Sequence, residues 1–158
     1  MKKSQLNNTT KYPTKREILE NKVKIRDDLW KKIVEATLDW KKWYYKGWRK
    51  FHPSKKTYHI AILLRRIQGV VGNKAKYGLS SKYCYSMKEN IIYLVELKPS
   101  IVSSLHELGH AILGESELEA CTFSVKLFEE CFNEEYNKLV WQGHILKKPT
   151  QKKYTETG

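Results

Sequence analysis

The chain has 158 residues, 41% of them hydrophobic, and a net charge of +13, so it can bury one core without disulfide staples, and a single domain is the working expectation. Its three cysteines, Cys84, Cys121 and Cys131, form no even-numbered framework and no C-x-x-C pair, which argues against a secreted disulfide scaffold and for a reducing, cytoplasmic compartment. The basic N-terminus leads into polar residues rather than the apolar stretch of a signal peptide, and the longest uninterrupted apolar run, Ile60 to Leu64, is too short to span a bilayer; no membrane is expected among the partners.

Residues 1–13 lack periodicity and are expected to form a disordered tail, followed by one domain over 14–146 with a basic helical N-terminal part, and a flexible tail over 147–158. Thr14-Lys15-Arg16-Glu17 has the form of a capping box and predicts a short helix. A longer helix is expected at about 27–46, opened by Asp27-Asp28 and stopped by Gly47, with Leu29, Ile33, Ala36, Trp40 and Trp43 or Tyr44 on one stripe. Tyr58 to Val71 suits a buried helix better than a strand. Gly78-Leu79-Ser80-Ser81 reads as a turn, and the alternating Tyr83, Tyr85 and Met87 pair plausibly with Ile91–Leu97 as a hairpin. Pro99, the stripe Ile101, Leu105, Leu108 and Ile112, and Gly114 delimit a further helix, after which Ser116 opens a long one running past Phe128 and Phe132 to Leu139.

Ser104-Leu105-His106-Glu107-Leu108-Gly109-His110 places an H-E-x-x-H pattern on that penultimate helix. Residues four apart lie roughly 40° apart around a helix, so His106 and His110 share a face and can grip one metal ion, with Glu107 beside them. A catalytic zinc takes three protein ligands and leaves a fourth position for water. Glu119, one turn into the last helix, is the preferred third ligand; Glu115, Glu117 and His144 are the alternatives. Ser116-Glu117-Leu118-Glu119 is also a capping box, which would turn Glu119 toward the Ser116 backbone instead.

The stretch His106–Leu113 followed by Glu117-Leu118-Glu119-Ala120-Cys121-Thr122-Phe123-Ser124 resembles the ImmA/IrrE-type zinc metallopeptidases, where H-E-L-G-H is followed by E-A-N-x-F-A; the resemblance spans about residues 78–130. It implies that Glu119 completes the metal site and that Ile91–Leu97 is the edge strand before the active-site helix. It also implies a zincin-like α+β fold with N-terminal helices, a short antiparallel sheet, the H-E-x-x-H helix and a long C-terminal helix. The substrate implied is an intracellular protein, of the repressor or regulator kind. Cys121 and Ser124 depart from the family's asparagine and alanine. Zinc (Zn2+) on His106, His110 and Glu119 would lower the pKa of a bound water from about 15.7 toward roughly 7 and polarise the scissile carbonyl, with Glu107 as general base. Tyr93, Tyr136 or His144 could stabilise the oxyanion, and a peptide could pair with the edge of Ile91–Leu97.

Residues 1–56 hold 17 Lys/Arg against 6 acids, whereas residues 99–138 hold 2 against 8, so a basic first half is joined to an acidic metal-site segment. Such a field attracts nucleic acid, an anionic surface or an acidic protein without choosing among them. Within the basic half, residues 40–51 interleave six aromatics with five cations, a composition that can stack bases and neutralise phosphates. Trp40 and Trp43 read as core anchors, leaving Tyr45, Trp48 and Arg49 for contact with nucleic acid or another partner. A nucleic-acid-associated protein with a structural or degenerate metal site, or one that cleaves DNA-bound proteins, is therefore the alternative to a metallopeptidase, and a protein-binding module without turnover is a third. His52 and His59 have no ligand spacing and read as structural.

Overall fold

A computed structural model describes residues 12–47, 50 and 53–149. The expected tails lie largely outside the described residues, as do Trp48, Arg49 and His52. The architecture is mixed α+β and mostly helical. Helices α1 (Lys15–Glu20), α2 (Asp27–Lys46) and α3 (Pro53–Val71) lead into strands β1 (Lys76–Leu79), β2 (Cys84–Ser86) and β3 (Ile91–Leu94); helices α4 (Ile101–Leu113), α5 (Glu117–Cys131) and α6 (Asn133–Asn137) follow, and strands β4 (Val140–Gln142) and β5 (Ile145–Lys147) close the chain. No described helix is long and apolar enough to cross a membrane.

Local chemistry sets most of these boundaries. Both halves of the Thr14 capping box form: the Glu17 N–H donates to the Thr14 hydroxyl at 3.1 Å and the Thr14 N–H to the Glu17 carboxylate at 2.8 Å. Along α2 the buried face is Ile33, Thr37, Trp40 and Tyr44, a 4-3-4 spacing that follows the helical repeat. Trp43, expected on that stripe, is 43% exposed, because it lies about 60° off the line from Trp40 to which Tyr44 returns. The break between α5 and α6 was not expected. Phe132, with φ −126° and ψ 51°, leaves the helical region there and divides what the periodicity runs together.

The larger sheet has the order β1-β3-β2, with β1 parallel and β2 antiparallel to β3. Two expectations are corrected by it. Gly78 and Leu79 belong to β1, aligned with Tyr93 and Leu94, instead of a turn. Ile91–Leu94 is the central strand, not an edge; the open edges are β1 and β2. A parallel pairing to a strand lying beyond an intervening strand leaves no local trace in sequence. The second sheet is the β4–β5 hairpin, turned at Gly143 with φ 66°.

The main core joins α2, α3, β3, α4 and one face of α5 through Trp40, Leu64, Ile92, Leu105, Leu108 and Phe123. The opposite face of α5 carries a second cluster, in which Cys121 and Val125 pack with Ile18 of α1 and Leu146 of β5. The two ends of the described chain thus meet on the back of α5 and hold the hairpin in place.

Candidate metal centre

Helix α4 begins at Ser100, whose hydroxyl accepts the Ser103 N–H at 3.1 Å, and ends at Gly114, whose φ of 103° suits glycine and lets the chain reverse at once. Ser116 then caps α5 by accepting the Glu119 N–H at 3.1 Å. The two helices come together at Gly109: a Cβ there would stand 3.1 Å from the Ala120 Cα and 3.2 Å from its carbonyl oxygen. This close approach, which the sequence reading did not single out, brings the first turn of α5 against the histidine face of α4.

His106 and His110 lie edge to face, with ring centroids 4.8 Å apart. The Glu117 carboxylate spans them, Oε1 at 3.1 Å from His106 Nε2 and Oε2 at 3.0 Å from His110 Nε2. One atom from each of His106, His110 and Glu117 falls within 4.8 Å of the other two. Glu119 is not part of this group. Two residues further along the helix is about 200° around it, so Glu119 faces away, accepting from Lys24 Nζ at 3.1 Å and from Asn21 at 3.5 Å. The group that could hold a metal ion therefore contains Glu117, which the sequence offered as an alternative, in place of Glu119. Glu115, also considered, is exposed on the cleft wall.

The hydrogen-bond partners of His110 fix where its ring proton sits. A carbonyl can only accept, so the 2.9 Å contact between His110 Nδ1 and the Gly114 carbonyl puts the ring proton on Nδ1. In the neutral ring Nε2 then presents a lone pair to a carboxylate oxygen. Two lone pairs at that distance need a positive charge between them, either a second proton on the imidazole or a metal cation. His106 has Cys121 Sγ 3.7 Å from its Nδ1 and likewise directs Nε2 at Glu117. One cation would satisfy all three groups; with protons alone His110 carries a second one, whereas His106 stays neutral with its Nδ1 facing the Cys121 thiol and its Nε2–H donating to Glu117. Bonds of about 2.0–2.1 Å to a tetrahedral ion hold ligand atoms about 3.3 Å apart, near the two Nε2–carboxylate distances of 3.1 and 3.0 Å.

Electrostatics follow the same pattern. Hydrogen bonds from both imidazoles hold the Glu117 carboxyl far below the usual carboxylate range. For His110, burial lowers the pKa, but the Glu117 and Gly114 hydrogen bonds outweigh it and the net shift is upward. Burial raises the Glu107 carboxyl, against the downward pull of the two histidines and of the Tyr85 backbone N–H on β2. Glu107 thus lies under the open edge of the sheet, beside the imidazoles.

These groups line a cleft of about 570 Å³ between β2 on one side and α5 with the β4–β5 hairpin on the other. Of the three residues considered for an oxyanion role, only His144 lines it, stacked on Tyr12 with ring centroids 4.3 Å apart. Tyr93 is hydrogen-bonded to Glu89 at 2.9 Å, and Tyr136 packs against both clusters below α5. Tyr45, expected to meet a partner, donates its hydroxyl to Glu135 and lies under Lys41 Nζ. Trp48 and Arg49 fall outside the described residues. Comparison of the chain with protein-family models, with curated proteins and with solved structures found no match in any of the three.

Proposed function

We propose that the protein is a zinc-dependent metallopeptidase with a zincin-like fold, in which His106, His110 and Glu117 hold the metal and Glu107 is the general base. The observation that carries this reading is the convergence of two imidazole Nε2 atoms on one carboxylate at 3.1 and 3.0 Å, with a second, half-buried carboxyl alongside. Zinc supplies a Lewis acid and an acidified water at neutral pH.

The chain's own groups do the rest. The Gly114 carbonyl fixes the His110 tautomer and aims Nε2, as outer-shell partners of metal-ligating histidines do. Glu107, whose carboxyl burial makes a stronger base than an exposed one, accepts the proton of the attacking water as oxygen adds to the scissile carbonyl carbon. The same carboxyl then delivers that proton to the departing nitrogen as the C–N bond breaks. The open edge of β2 would align an extended peptide across the site by backbone pairing.

The sequence resemblance extends the proposal to an intracellular protein substrate of the repressor or regulator kind and to a cytoplasmic location. Replacing Glu107 with Gln tests the chemistry. Peptide cleavage should fall by about 10²–10⁴-fold with stoichiometric zinc retained, whereas His110→Ala should lose the zinc as well. Unimpaired cleavage by the Glu107→Gln protein would refute the role. A second reading, association with nucleic acid, is favoured by the exposed Lys31, Lys32, Lys42 and Lys46 along α2; it requires a DNA affinity that falls steeply with salt.

A further inference from the structure

The larger sheet has a second open edge, away from the metal corner. Strand β2 borders the cleft, and in the order β1-β3-β2 the free side of β1 lies at the opposite margin. Among the described residues nothing pairs with that side. The Lys76 N–H donates to the Asn90 carbonyl at 3.0 Å and the Ser80 N–H to the Leu94 carbonyl at 2.9 Å. Lys76 and Gly78 thus turn their amides to β3, and Tyr77 and Leu79 turn theirs outward.

The side chains alternate as well. Tyr77 and Leu79 share the face toward α3, where the Arg65 guanidinium lies over the Tyr77 ring at 5.7 Å. Tyr58 and Ile62 precede Arg65 on the same stripe of that helix. They stand toward the end of the sheet at which Leu79 aligns with Leu94 and Thr57 donates to the Val95 carbonyl at 2.9 Å. Tyr58 and Leu79 are 62% and 60% exposed there, an apolar surface beside unpaired backbone. Lys76 and Gly78 take the other face, where Gly78 meets the Tyr93 ring. Between Asp39 and Glu89 the sequence has 13 Lys/Arg and no acid, so neither α3 nor β1 supplies a carboxylate to this edge.

We propose that β1 is a docking edge for a partner protein, which adds an extended segment of alternating apolar and acidic residues to the sheet as a fourth strand. Its apolar side chains would cover Tyr58, Ile62 and Leu79, its acidic ones would lie beside Lys76, and its backbone would satisfy the outward amides. A second copy of this edge is repelled by like charge. Lipid would leave the outward amides without partners, and leucine offers a nucleic acid no ring to stack on. The proposal goes beyond the peptidase reading and does not depend on it.

The probe is a short synthetic peptide alternating Val with Glu, added to the isotope-labelled full-length chain and followed by NMR, with a Val–Lys peptide as its control. The Val–Glu peptide should shift the amides of Tyr77 and Leu79 and slow their hydrogen exchange. Its affinity should fall at least about tenfold between low and high salt, and the Val–Lys peptide should not bind. Leu79→Pro removes an outward donor without removing a bond to β3 and should weaken binding at least about tenfold. Since proline also alters strand geometry, Lys76→Glu, at an exposed position, is the second variant, and it should cut the preference for Val–Glu over Val–Lys at least about fivefold. No binding of the Val–Glu peptide at millimolar concentration, shifts confined to β2, or a preference untouched by Lys76→Glu would overturn the proposal. So would larger shifts of the same amides on phosphatidylserine vesicles or a DNA duplex, which would assign the edge to lipid or to nucleic acid.

Discussion

The α2–α3 pair and the α4–α5 corner use the same polar and aromatic residue types to opposite ends. In the first, donors meet acceptors across the pair: Trp40 Nε1 donates to the His59 carbonyl at 2.8 Å, and Arg66 pairs with Asp39 at 3.1 Å while covering the Trp43 ring. In the second, the Nε2 atoms of His106 and His110 converge on the Glu117 carboxylate at 3.1 and 3.0 Å, and the Gly114 carbonyl on Nδ1 leaves His110 facing that carboxylate with a lone pair unless it takes a second proton.

The contrast can be broken at either side. Trp40 is fully buried, so Trp40→Ala should destabilise the fold by about 3–5 kcal/mol in denaturant unfolding. A loss under about 1 kcal/mol would show that the α2–α3 core is not where the stability lies. At the corner, Glu117→Ala should weaken zinc binding by more than the about 10–100-fold typical of an outer-shell partner. Glu119→Ala should leave it within about twofold, since its Oε2 is held by Lys24 and Asn21 on the side away from the histidines; the reverse order in a zinc titration would restore Glu119 as the ligand. Gly109→Val places a side chain against the Ala120 backbone and should cost about 1–3 kcal/mol of stability, and weaken zinc binding by parting the two helices.

The pH dependence of the metal-free protein sharpens the comparison with a smaller effect. Glu117 is depressed below its ordinary 4.5, so its stabilisation is present above that value and lost as pH falls through the folded one. His110 is raised above its ordinary 6.5, so its contribution is present below 6.5 and lost as pH rises through the folded value. Thermal stability without metal should therefore peak between pH 4.5 and 6.5. Glu117→Gln should flatten the profile on both flanks; an unchanged profile would mean that the three groups do not interact. Zinc should move the optimum upward, because protons and metal compete for the same lone pairs.

What the sequence made legible was what short-range periodicity encodes. The Thr14 capping box, the 27–46 helix, the H-E-x-x-H helix with its glycine stop, and the facing pair His106 and His110 all follow from residues within a few turns of one another. The choice between Glu117 and Glu119 did not, because two positions in one helical turn point to opposite sides, and the tight reversal at Gly114 decides which side meets α4. Strand β1 depends on a parallel partner 15 residues away in register, Lys76 with Ile91, and the β4–β5 hairpin has three-residue strands, too short for alternation to register. The back of α5, where Ile18 and Leu146 meet Cys121 and Val125, joins opposite ends of the chain and so left no local pattern.

X-ray absorption at the zinc edge of the reconstituted protein tests most directly whether this corner is a metal centre. Two imidazole nitrogens at about 2.0–2.1 Å with the remaining ligands oxygen, and loss of that signature in Glu117→Ala, are the expected result. A sulfur shell at about 2.3 Å, which would bring in Cys121, or no bound zinc at stoichiometric loading, would contradict it.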